Sequence, residues 1–78
     1  MNDKEHFEEM KKEVKQILKD AFPESLTTTE IHDKCTTRRC WGNDYMLRKL
    51  KRMILTEDWL IMTHKTNSYH WKYNNLFL

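Results

Sequence analysis

Apolar residues recur along the first third of the chain at steps of three and four: Phe7, Met10, Val14, Ile17, Leu18 and Ala21, with Lys and Glu prominent between them. That spacing gathers them on one stripe of an amphipathic helix, predicted over about Asp3 to Ala21. Pro23 ends it, because proline disfavours the helical conformation of Phe22 and has no amide proton to donate. In Leu26-Thr27-Thr28-Thr29-Glu30-Ile31, the Thr27 side chain can accept from the Glu30 amide while Glu30 reaches back to the Thr27 amide, a capping box. Leu26 and Ile31 take the hydrophobic-staple positions. A short second helix is therefore predicted from Thr28 to about Cys35. Thr36 to Gly42 lacks a helical period and contains the one glycine of the chain, so it is read as a connection. Asn43 is the expected N-cap of a third helix from Asp44 to about Leu55, with Met46, Leu47, Leu50, Met53 and Ile54 on its apolar stripe.

After Asp58 the residues become aromatic and β-branched, first Trp59 to His64 and then Tyr69 to Tyr73, separated by Lys65-Thr66-Asn67-Ser68. This predicts a hairpin over about 59–73. Asn67 is expected to take the positive φ of its turn, and Trp59, Ile61, Tyr69, Trp71 and Tyr73 to face inward. The tail, 74–78, ends on Leu76-Phe77-Leu78, which either packs back or meets another chain. The expected fold class is mainly α with a small β-hairpin (α+β), in one domain over 1–78.

Composition narrows this reading. A chain of 78 residues buries only about 60% of its unfolded surface, leaving room for one small core. The longest apolar run, Trp59 to Met62, cannot span a bilayer, and the charged start has no signal-peptide core, so a soluble, intracellular protein is expected. Its compartment would be cytoplasm or nucleoid, a host cell's cytoplasm, or a nucleus if the source is eukaryotic. The net charge of +2 is unremarkable, but its distribution is not. Between 38 and 52, Arg38, Arg39, Arg48, Lys49, Lys51 and Arg52 stand against Asp44 alone, net +5, while the rest of the chain is neutral or acidic. At 100° per residue, Tyr45, Arg48, Lys49 and Arg52 lie opposite the apolar stripe of the third helix.

The order long helix, capped short helix, turn, basic helix, hairpin resembles a winged helix-turn-helix domain over nearly the whole chain. "LTTTEIHDKC" is similar to the second helix of that family, "NDYMLRKLKRM" to its recognition helix and "WLIMTHKTNSYHWKY" to its two-stranded wing. The connection after Cys35 is longer than the family's usual turn, which leaves open a start of the recognition helix as early as Thr37, and no glycine follows that helix. The resemblance implies a partner, double-stranded DNA, with the third helix in the major groove and the wing on the adjacent backbone or minor groove. Arg48 and Arg52 are then the candidates for reading base edges, since arginine grips guanine with two hydrogen bonds, and Tyr45 lies beside them. Arg38, Arg39, Lys49, Lys65 and Asn67 are candidates for the DNA backbone, with Thr27, Thr28 and Thr29 at a helix N-terminus. A homodimer through helix 1 or the C-terminal tail is expected, because such regulators often bind two-fold half-sites. Small single-module regulators of this kind are associated with viruses and mobile elements.

Other chemistries find little support. One glycine excludes both the P-loop and the dinucleotide fingerprint, and Ser25 and Ser68 lack a nucleophile-elbow setting. No enzyme activity and no cofactor are expected. Cys35 and Cys40, with His32, His64 and His70, contain zinc-ligating types without zinc-ribbon spacing, so no metal is expected, and Cys35 fits the apolar face of the second helix. Left-handed-DNA readers of the same fold share a Tyr and a Trp corresponding to Tyr45 and Trp71, but their wing prolines are missing. A winged-helix module that binds protein is the competing function.

Overall fold

The computed structural model describes residues 3–36 and 42–78. Arg38, Arg39 and Cys40, and a helix start near Thr37, lie outside the described residues. Helix α1 spans Asp3–Ala21, strand β1 Leu26–Thr27, helix α2 Thr28–Lys34, helix α3 Asn43–Ile54, strand β2 Leu60–Lys65 and strand β3 Ser68–Tyr73; a 3-10 turn follows at Asn75–Phe77. The class is mixed α+β.

The apolar stripe of α1 is used inward: Met10, Val14 and Leu18 are fully buried, and His6 joins them one turn earlier. Each buried aliphatic side chain contributes on the order of 1.5–3 kcal/mol relative to exposure. Ile31 of α2, Met46, Leu50 and Met53 of α3, and Trp71 and Tyr73 of β3 close on the same core. Cys35 sits there as a small apolar side chain, its Sγ donating to Glu13 Oε1 at 2.9 Å. The Glu13 carboxylate also accepts from the amide (2.6 Å) and the hydroxyl of Thr36, fastening the end of α2 to α1.

The sheet has three antiparallel strands in the order β1-β3-β2, where the sequence predicts two. Leu26 pairs with Trp71 and Thr27 with His70. The extra strand arises because Thr27 must be extended (φ −76, ψ 165) to cap α2, and an extended residue offers its backbone to a neighbour. Two residues are too few to carry a period-two signal.

Four further expectations are corrected. Asn43 is the first residue of α3 and the N-cap is Gly42, which has no side chain to cap with, so α3 shifts back to Asn43–Ile54. Leu60, not Ile61, faces inward: Leu60 opposes Tyr73 and Met62 opposes Trp71, so period-two alternation sends Ile61 outward beside Lys72, where it is 38% exposed. Trp59 is buried, as expected, but it precedes β2 and stacks 6.2 Å from the Tyr73 ring. Lys65 and Ser68 close the hairpin as a pair, and the positive φ falls on Thr66 (53°) instead of Asn67, because a two-residue loop of this kind places it at the first position.

Candidate nucleic-acid interface

Helix α3 turns Met46, Leu50 and Met53 into the core and leaves Asp44, Arg48, Lys51 and Arg52 exposed. Tyr45 and Lys49, expected to point straight out, are half-buried, Lys49 beside Phe7 of α1. Lys51 and Arg52 occupy the last turn, where the negative end of the helix dipole favours cations.

The α3 cations are held by rings and not by carboxylates. Arg48 Cζ lies 5.7 Å from the Tyr45 ring centroid, and Lys49 Nζ lies 5.1 Å from Tyr45 and 5.2 Å from Phe7 of α1. Arg52 Cζ lies 5.0 Å from Phe7, and Lys51 Nζ lies 4.6 Å from Tyr69 of β3, which stacks on His64 at 4.4 Å. Among the described residues, no carboxylate is within ion-pairing distance of these four cations; the pairs present join Lys11 to Glu8 and Glu57, and His32 to Asp33. A ring restrains a cation at about 0.5–1 kcal/mol without cancelling its charge, so the face stays positive.

The threonines divide. Thr27 is a cap: its hydroxyl accepts from the Glu30 amide at 3.2 Å, and its amide donates to Glu30 Oε1 at 2.9 Å. That amide, with the Thr27 hydroxyl next, holds the Glu30 carboxyl below its ordinary pKa. The Thr28 hydroxyl accepts from Trp71 Nε1 at 2.9 Å, and Thr29 is exposed. All three line one groove with Asn43, Asp44 and Asn67 at the hairpin tip. The structure thus gathers Thr27, Thr28, Thr29 and Asn67, but Asp44 lines the same groove and Glu30 lies beside it, so an anion would enter there against negative charge. Lys65 stands exposed at the end of β2.

Sequence reasoning missed Phe7, read only as a core residue, and left Lys51 unassigned. Nothing local in the sequence signals that Phe7 meets α3. The side chain of His32 on α2 is 13% exposed. Among the described residues, no three His, Cys, Asp or Glu side chains converge as a metal site, and His32, Cys35, His64 and His70 do not come together as one. No described helix is long and apolar enough to cross a membrane. Comparison with protein-family models, curated proteins and solved structures returns no match to this chain.

Proposed function

We propose that the chain is a double-stranded DNA-binding protein of winged helix-turn-helix form, a small sequence-specific transcription regulator without enzymatic activity. In this reading α3 enters the major groove, Arg48 and Arg52 contact base edges with Tyr45 beside them, and Lys49, Arg38, Arg39 and the hairpin tip engage phosphates. The observation that carries it is the exposed face of α3, on which Arg48, Lys51 and Arg52 stand with no described carboxylate paired to them. The order α1, β1, α2, α3, β2, β3 supports the same reading by placing the hairpin after the basic helix.

The test is anisotropy of a labelled duplex at rising salt, preceded by selection from a random duplex pool. The logarithm of affinity should fall linearly with the logarithm of salt, by about 0.9 for each phosphate neutralised. Passage through immobilised DNA at low salt would remove the proposal.

A protein-binding module is the second reading, favoured by the tail, where Leu76 is 84% and Leu78 61% exposed. A homodimer would form through the same tail or through α1, whose Phe7, Ile17 and Ala21 are only partly buried. A monomeric mass at tens of micromolar, with and without the selected duplex, would eliminate the dimer.

A further inference from the structure

Helices α1 and α3 meet along a groove lined by Lys4, Phe7, Glu8, Lys11, Lys49 and Arg52, with Thr56 at its end. Phe7 is half-buried in it, with the charged groups of Lys11, Lys49 and Arg52 each 5.0–5.2 Å from its ring centroid. Lys11 is neutralised locally, at 2.8 Å from Glu8 and 3.8 Å from Glu57. Lys49 and Arg52 have no such partner among the described residues. Two like charges gathered at one ring repel each other, and an anion entering the groove relieves that repulsion. Lys4, exposed on the first turn of α1, lines the same groove.

We propose that the first two turns of α1 belong to the DNA-binding surface: Phe7 is the positioning residue that holds Arg52 and Lys49 in place, and Lys4 contacts a backbone phosphate across the groove. The proposal rests on the duplex-binding reading and extends it from α3 to a second helix. Because cations already stand around its ring, Phe7 acts as a support for them and not as a platform on which a base stacks. Preorganisation lowers the ordering cost of long side chains at binding, so its loss falls on the base-reading Arg52 and shows as discrimination. Lys4 adds one released counterion and no sequence information.

The experiment compares the parent chain with Phe7→Leu, Phe7→Tyr, Lys4→Ala and, as a control on the exposed middle of α1, Lys15→Ala, each first verified as folded by circular dichroism. Affinities for the selected duplex and a scrambled duplex are measured across a salt series. Phe7→Leu should lower the ratio of the two affinities about fivefold, while Phe7→Tyr, which keeps the ring, retains it. Lys4→Ala should weaken both duplexes alike and reduce the salt slope by about one, with Lys15→Ala unchanged. A parent-like ratio in Phe7→Leu, or a parent-like slope in Lys4→Ala, overturns the proposal while duplex binding by α3 stands. Absence of duplex binding by the parent chain overturns both. If Phe7→Leu is unfolded, Phe7→Met takes its place, with the same lowered ratio expected and a parent-like ratio overturning the proposal.

Discussion

The indole nitrogen of Trp71 donates a 2.9 Å hydrogen bond to the hydroxyl of Thr28, joining residues 43 positions apart. Trp71 is fully buried, so its N–H has no route to water, and Thr28 opens α2 immediately after the capping residue. One hydroxyl thus ties the hairpin to the helical part. Thr28→Val, which keeps the shape and removes the acceptor, should cost about 1–3 kcal/mol by urea unfolding, and Thr28→Ser much less. Equal losses from the two variants would mean that the bond contributes nothing measurable.

If α3 binds duplex DNA as proposed, charge position on it should separate two roles. Arg48→Ala should cost about 1–3 kcal/mol on the preferred duplex and relax discrimination, whereas Lys49→Ala should weaken all duplexes alike and lower the salt slope by about one. Titrations against matched and scrambled duplexes read both. Equal, sequence-independent losses would withdraw base reading from Arg48.

Glu30 should give stability an acid limb. Its folded pKa lies below the ordinary value, so its contribution is complete above the ordinary carboxylate range and is lost as pH falls through the lowered folded value. Glu30→Gln can accept from the Thr27 amide but does not titrate. The parent should exceed this variant in urea midpoint near neutrality, and the gap should close as pH falls through the lowered folded value of Glu30. A gap independent of pH would show that the charge of Glu30 is irrelevant to the cap.

Thr66 holds φ 53, a left-handed conformation that a β-branched residue adopts at a cost. Thr66→Gly should raise stability by roughly 0.5–1 kcal/mol, the relief of strain outweighing the added freedom of the unfolded chain. Thermal unfolding measures it, and a lower midpoint would refute the strain.

What the sequence made legible is what local physics decides. The end of α1 at Ala21, the Thr27–Glu30 capping box and the burial of Cys35 follow from residues within a turn or two of each other, and each is present. The solvent face of α3 was readable for Arg48 and Arg52 from helical spacing, but the seating of Lys49 beside Phe7 depends on a residue more than forty positions away. The strand Leu26–Thr27 was invisible for the same reason, since its partners in β3 lie more than forty residues on. In the hairpin, the two strands were legible, while the residue carrying the positive φ of the turn and the face assigned to Ile61 were not. Where β2 begins relative to Trp59 is set by the opposition of Leu60 and Tyr73, and a shift of one residue reverses every side chain.

Thr27 belongs to two structures at once, the last residue of β1 and the cap of α2. Pulling β3 away from β1 therefore strains the first turn of α2, and unwinding that turn strips an edge from the sheet. A tilt imposed on the hairpin tip by a bound partner would be delivered to α2 like torque through a wrench, without a hinge between them.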